Sequence, residues 1–478
     1  MNRFAFFWLV LTTVLVSAET RELYILHTND IHGYVESYEG GGLEQIATLV
    51  EEFRREHPGQ VVLLDGGDTS LGTPLSGLFH GLPTAEIMDL MNYDAVVLGN
   101  HEFNWGKEKM KALTREMNTT VLCANLVRED GDAPPYPGWT VLERNGVRLA
   151  VVGLVAPDTP RRAPLKATED WLFLEPSAAV EATLPVLDEH DVLICLNHIG
   201  VDEDKSLARA IPSIDLIVGG HSHTPLPEAV YENGVPIVQA GCYGQYLGVV
   251  RVEVDTESDS LTVLESRLLS AGSAAEPEPA AHGVVEKFAA ELRPLLETTL
   301  ATVTEEISKE APEDSYDTPL GNYISDVFRR QAGTDVALYN RGGVRFSMEP
   351  GPLKAGKVFE LFPFDDPVTV LEADGQELLR VIEQGTVDGE GPLSVSGLTA
   401  VIGEDQRIDI MVGEKPLDPD TVYRIATTRF LADGGDGMAS LAGLPRVETL
   451  PFTRDVLLED LKTHSQVRSP GAGRLLIR

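Results

Sequence analysis

The stretch Leu23-Tyr24-Ile25-Leu26-His27-Thr28-Asn29-Asp30-Ile31-His32 decides the fold. Residues 23–26 read as a buried strand, and the polar end sets Asp30 and His32 just past its tip. The same arrangement recurs four times. Residues 61–64 precede Gly67-Asp68, residues 95–98 precede Gly99-Asn100-His101-Glu102, residues 192–196 precede Asn197-His198, and residues 214–218 precede Gly220-His221-Ser222-His223. Strand ends are rigid, so side chains just beyond them can converge on one point.

Carboxylate, amide and imidazole groups without a thiolate suit hard-to-borderline divalent ions. Asp30 and His32, two apart on extended chain, point to the same side and can chelate one ion. Asp68 follows two glycines that allow close backbone approach, and its two oxygens can bridge two ions. Asn100 offers a neutral oxygen to the second ion, which His198 and His221 complete, while His223 returns to the first. A single D-x-H or G-H-x-H is weak evidence, but five of the eleven His fall in these clusters. His27, His57, His80, His190, His282 and His464 are read as structural. The expected cofactor is a pair of divalent ions drawn from Mn, Zn, Co, Fe or Mg, whose natural chemistry is in-line displacement at phosphorus. His101 follows Asn100 directly and so faces the space above the ions. There an imidazole could stabilise phosphoryl oxygens or protonate a leaving oxygen.

The 478 residues suffice for two or three domains, and 43% hydrophobic with 24% charged content is ordinary for a globular chain. The net charge of −37 is not ordinary. It argues against nucleic acid polymers or anionic membranes as partners, and leaves room for a small phosphate ester held by metal ions. Arg3, the apolar residues 4–16 and Val16-Ser17-Ala18 read as an export signal over residues 1–18, with Glu19 starting the mature chain. The apolar run is shorter than the roughly 20 residues a membrane span needs. No lipid-attachment Cys and no C-terminal anchor signal are visible, so an exported protein without a stable membrane anchor is expected, periplasmic or extracellular. Cys123, Cys195 and Cys242 are too few for a disulfide scaffold and are read as free thiols, ahead of a Cys195–Cys242 bridge.

Short apolar strands alternate with helical patterns up to about residue 254, which is an α/β layer architecture. Residues 44–56 and 83–91 read as helices. Residues 270–282 (SAGSAAEPEPAAH) read as a linker, residues 283–299 as a helix, and a second domain starts near residue 301. The expected division is 19–269 for the metal domain, 270–300 for linker and connecting helix, and 301–478 for the second domain. Leu320, Tyr323, Ile324, Val327 and Phe328 keep helical spacing and are read as core.

The motifs Asp30-Ile31-His32-Gly33, Gly67-Asp68, Gly99-Asn100-His101-Glu102-Phe103 and Gly220-His221-Ser222-His223 together resemble the calcineurin-like metallophosphoesterases. Asn340-Arg341-Gly342-Gly343-Val344-Arg345 and Phe430-Leu431-Ala432-Asp433-Gly434-Gly435-Asp436-Gly437 resemble the C-terminal domain of the 5′-nucleotidase and UDP-sugar hydrolase family. The resemblance implies a four-layer αββα sandwich holding two metals, plus a C-terminal α+β domain with the nucleoside pocket, joined by a helix about which the second domain turns. It matches His101 to the family's catalytic His. It places Asn340 and Arg345 on the phosphate or nucleoside, Phe430 on the base, and Asp436 on the ribose or base side.

Three departures stand out. Asn104 occupies the place of an Asp that usually orients the catalytic His, and Asn there is the pattern of the 2′,3′-cyclic-nucleotide phosphodiesterase/3′-nucleotidase branch. Residues 313–317 lack an arginine often found there for phosphate, and residues 391–397 lack a Phe expected near Pro392. The expectation is a metal-dependent hydrolase of small nucleotides, acting as a 5′-nucleotidase and, in the wider family pattern, a UDP-sugar hydrolase, by in-line attack of a metal-bridging hydroxide. The cyclic phosphodiesterase is the alternative, and a nucleotide-binding protein without turnover is a third reading.

Overall fold

The computed structural model describes residues 20–478 apart from 37–39, 132–133, 164, 275, 345, 363–365, 387–392, 404 and 406. The export-signal reading of residues 1–18, the role given to Arg345 and the missing Phe near Pro392 therefore lie outside the described residues.

The first apolar run sits inside the strand Thr20–Thr28, and its side chains alternate between two cores. Leu23 and Ile25 join the cluster that holds Val62, Leu64, Leu149, Val151, Ile194 and Leu196. Tyr24 and Leu26 face the other way, against Ile46 and Val50 of the helix Leu43–Glu56. A strand covered on both faces has no polar positions to alternate, which is why these strands read as continuous apolar runs.

Two six-stranded sheets share the first of those cores. One runs Ser260–Ser270, Tyr246–Asp255, Thr20–Thr28, Val61–Asp65, Ala95–Val97, Thr120–Leu122. The other runs Val230–Glu232, Val235–Val238, Leu216–Val218, Val192–His198, Val147–Val155, Trp139–Arg144. Helices Leu43–Glu56, Leu82–Leu90 and Pro279–Leu296 cover the outer face of the first sheet, and Pro176–Thr183 and Val201–Ala210 that of the second. The result is the four-layer αββα sandwich. Thr20–Thr28, Val61–Asp65 and Ala95–Val97 are parallel, as are Val192–His198 and Leu216–Val218. Their carboxyl ends carry all five polar clusters, the usual place for a ligand in an α/β sheet.

The connecting helix differs from expectation. It spans Pro279–Leu296, so residues 279–282 of the expected linker are its first turn. Glu278 caps it by accepting from the Ala281 N–H at 2.7 Å, and Pro279 sits where a missing N–H costs nothing. Composition pointed to a linker, but the cap and the burial of Ala281, Val285, Phe288, Ala289 and Leu292 on the first domain override it. The helix is an integral layer of that domain.

The second domain is built on a five-stranded sheet ordered Leu393–Ser396, Val336–Asn340, Val422–Thr428, Pro367–Asp374, Arg446–Phe452. The helix Pro319–Ala332, capped by Thr318 and ended by Gly333 at φ 60, buries Leu320, Tyr323, Ile324, Val327 and Phe328 on it. All three cysteines are free, Cys195 inside the strand Val192–His198. No helix among the described residues is long and apolar enough to cross a membrane.

Candidate active site

The five strand ends converge. Asp30, His32 and His223 have ligand atoms within 4.8 Å of one another, and so do Asp68, His198 and His221. His32, Asp68 and His101 form a third such group between them. Asp68 is the shared member: its Oδ2 lies 3.0 Å from His198 Nε2, 3.9 Å from His32 Nε2 and 4.0 Å from His101 Nε2. Its Oδ1 accepts from the His101 backbone N–H at 2.8 Å. Oδ2 thus faces both halves of the cluster, while Oδ1 is engaged by the backbone.

The local backbone also departs from expectation. Asp30 and His32 are not on extended chain; they have φ of 52 and 50, and Asp68, His221 and His223 are likewise at positive φ. Five of the seven candidate ligands thus adopt the left-handed conformation that Asp, Asn and His tolerate best. Such strain persists only where the surroundings over-determine it, and it concentrates at functional sites. Two glycines make room. A Cβ on Gly99 would lie 2.1 Å from Asp68 Oδ1, and one on Gly220 would lie 2.4 Å from the Gly66 carbonyl.

The donor set fits a pair of divalent ions. Asp30 Oδ2 accepts from Asn29 Nδ2 (2.6 Å) and the His221 N–H (2.9 Å), while buried Oδ1 faces His223 Nε2 at 3.2 Å. Asn100 Oδ1 is buried with no hydrogen-bond partner among the described residues, and His198 Nε2 faces Asp68 Oδ2. His198 Nδ1 is 2.6 Å from the Gly66 carbonyl and His32 Nδ1 is 2.8 Å from that of Leu71. With Nδ1 donating to a carbonyl, each ring turns an Nε2 lone pair into the cluster. Burial works against charge on Asp68, but the imidazoles of His198 and His101 hold it well below the usual carboxylate range. Burial alone would lower His198; Asp68 and then Asp30 outweigh it and push it up to about 10. A site that draws protons this strongly draws divalent cations too, and the two compete.

Glu102, quoted in the third cluster without a role, anchors the whole turn. Its carboxylate accepts from the N–H groups of Gly99 (2.7 Å), Thr69 (2.8 Å) and Asp68 (3.1 Å). Asn197 Nδ2 donates to Asp204 Oδ1 at 2.8 Å. Asn104 makes no hydrogen bond to His101: both its amide atoms, and His101 Nδ1, are buried without a hydrogen-bond partner among the described residues. Burial drives His101 down to about 3, so its ring is neutral at ordinary pH.

The second domain meets this cluster at His101, whose ring stacks on Phe452 with centroids 5.9 Å apart. Thr453, the next residue, lines a cavity of about 790 Å³ together with Asn340, Phe430 and Asp436. Asn340 Nδ2 donates to Asp436 Oδ2 at 2.7 Å. Phe430 is 46% exposed, which sets aside core packing as its role. Tyr339 and Phe362 line the same cavity beside Phe430. Residues 313–317 do not line it. Asp317 accepts from the N–H groups of Gly473 (3.0 Å), Arg474 (3.2 Å) and Leu475 (2.8 Å), tying down the C-terminal segment. Among the described lining residues the cation is Arg429, one residue before the quoted Phe430 motif.

Residues 23–225 match the calcineurin-like phosphoesterase family, and residues 299–443 match the 5′-nucleotidase C-terminal domain. The chain belongs to the 5′-nucleotidase family of calcineurin-like phosphoesterases. It is a hydrolase of phosphoric esters. It is 26% identical to protein UshA of Yersinia enterocolitica over 95% of this chain and 92% of that one. It is 27% identical to a 5′-nucleotidase of Vibrio cholerae over 96% and 94%. Among solved structures, a 5′-nucleotidase precursor from Thermus thermophilus is 27% identical with a TM-score of 0.64, covering 96% of this chain and 99% of its own.

Proposed function

We propose that this chain is an exported, metal-dependent 5′-nucleotidase whose site also accepts UDP-sugars. The observation that carries the reading is the junction of two halves. A cavity holding exposed Phe430 and the Asn340–Asp436 pair adjoins the Asp68 cluster through the His101–Phe452 stack. A nucleoside fits an aromatic face beside paired amide and carboxylate groups, and its 5′-phosphate then points toward the cluster.

Asp30, His32, Asp68 and His223 would hold one ion, and Asp68, Asn100, His198 and His221 the other. Bound ions supply a lowered water pKa and neutralise phosphoryl oxygens. The chain's own residues do the rest. Glu102 fixes the Asp68 turn by its three backbone hydrogen bonds. His101, neutral and buried, donates one N–H to a phosphoryl oxygen rather than a proton to the leaving group. Phe452 holds that ring in place and keeps water off it. Export rests on the signal-like residues 1–18.

A second reading, a 2′,3′-cyclic phosphodiesterase/3′-nucleotidase, is favoured by one observation, the Asn at 104 with no bond to His101. The test is phosphate release with added Mn²⁺ from 5′-AMP, 3′-AMP, 2′,3′-cyclic AMP and UDP-glucose, the last two coupled to a phosphatase. Preference for 5′-AMP or UDP-glucose supports the proposal. Preference for the cyclic ester or 3′-AMP moves the chain to the other branch.

A further inference from the structure

We infer that Arg429 is a substrate-anion clamp of this site, holding the phosphoryl group of a nucleotide from the second domain's side. The inference rests on the nucleotidase reading above and names a residue for it.

The cavity lined by Phe430 also contains three carboxylates, Asp366, Asp433 and Asp436, and Arg429 is the one cation among its described lining residues. In a chain of net charge −37, a cation kept inside an acidic cavity needs a reason. Structural pairing is the ordinary one, and here it is incomplete. Arg429 Nε lies 3.8 Å from Asp366 Oδ1 and 4.0 Å from Asp433 Oδ2, both beyond hydrogen-bond reach. Its Nη1 is buried with no hydrogen-bond partner among the described residues.

The nearby carboxylates are already engaged. Asp366 Oδ2 accepts the Phe430 N–H at 2.9 Å, Asp433 Oδ1 is taken by Arg446 Nη2, and Asp436 Oδ2 is taken by Asn340. The three acids therefore shape the cavity and leave the guanidinium's donors to a ligand. An arginine fork matches two oxygens of a phosphoryl group better than any other side chain.

Position agrees with chemistry. Arg429 follows Thr428, the end of the strand Val422–Thr428, and precedes the exposed Phe430 ring. It lines the cavity together with Thr453, the neighbour of the Phe452 that stacks on His101. It thus shares the wall of the cavity that adjoins the metal-ligand cluster, within which the phosphoryl group of a bound nucleotide would lie. Residues 313–317 offer no such arginine, whereas Arg429 opens the short helix Arg429–Ala432 on the cavity wall.

The test compares the wild-type holoenzyme with Arg429→Met and Arg429→Lys, measuring kcat and KM for 5′-AMP and the inhibition constant of adenosine, which lacks the anion. Loss of a charge-assisted hydrogen bond predicts a KM for 5′-AMP raised about 10- to 100-fold in Arg429→Met, with partial recovery in Arg429→Lys. The adenosine constant stays unchanged. An unchanged KM overturns the inference, as does a parallel rise in KM and in the adenosine constant, which would mean that Arg429 only supports the cavity wall. A wild-type enzyme that does not turn over 5′-AMP overturns the nucleotidase reading and this inference together. An active wild type with unaltered variants overturns the inference alone.

Discussion

The ring of His101 lies against the ring of Phe452, their planes only 24° apart and their centroids separated by 5.9 Å. One residue begins a 3₁₀ turn entered from the metal-ligand strand, and the other ends the edge strand Arg446–Phe452 of the second domain. The contact makes the second domain part of the chemistry, because it fixes the orientation of the imidazole proposed to face the phosphoryl group.

Phe452→Leu keeps an apolar side chain and removes the ring face. An aromatic pair is worth about 0.5–1.5 kcal/mol beyond burial, so kcat/KM for 5′-AMP should fall about 3- to 10-fold. Steady-state kinetics check this. An unaltered kcat/KM would mean that the stack does not position His101.

Glu102→Gln tests the anchor of the Asp68 turn. The amide keeps one acceptor oxygen but brings an N–H₂ to face backbone N–H groups now bonded by the carboxylate. Metal affinity should drop about 10- to 100-fold, the usual effect of losing a group that orients a ligand. Mn²⁺ titration of EDTA-treated protein reads it directly. Equal affinities would remove Glu102 from the metal site's support.

His27 gives the protein an acid sensitivity outside the candidate ligand set. Burial in the strand Thr20–Thr28 lowers its pKa from 6.5 to about 3, and its Nδ1 has no partner among the described residues. Below pH 6.5 the unfolded chain binds a proton that the folded chain refuses. Stability is therefore complete above pH 6.5 and falls as pH drops toward 3, by about 1.4 kcal/mol per unit. His27→Asn removes this titration. Between pH 7.5 and 5.0 the wild type should lose about 2 kcal/mol more than the variant in urea unfolding. Identical losses would show that His27 does not titrate between the two states.

The site's location is legible in the sequence and its backbone is not. Strands covered on both faces are apolar throughout, so Asp30, Asp68, Asn100, His198 and His221 stand out at their ends. The face shared by Asp30 and His32 is argued from strand alternation, yet the chain has left the strand by Asn29 and turns through left-handed conformations that alternation cannot describe. The Ala- and Pro-rich residues 279–282 look like linker because composition does not register the Glu278 cap or the apolar face behind it. Phe362 and Arg429 escape for different reasons: Phe362 reaches the cavity from a separate segment, and Arg429 stands one residue outside the quoted Phe430 motif. Asp317 shows the converse, an acidic residue in a motif-bearing segment whose work is to tie down the C-terminal chain.

The most direct measurement is the metal content and 5′-AMP turnover of EDTA-stripped protein titrated with Mn²⁺, run beside Asp68→Ala. The shared Oδ2 of Asp68 predicts that turnover rises to its plateau as the second ion binds, and that Asp68→Ala retains neither tight ion nor activity. Full turnover in Asp68→Ala, or in the metal-free protein, would contradict a two-ion centre built around that carboxylate.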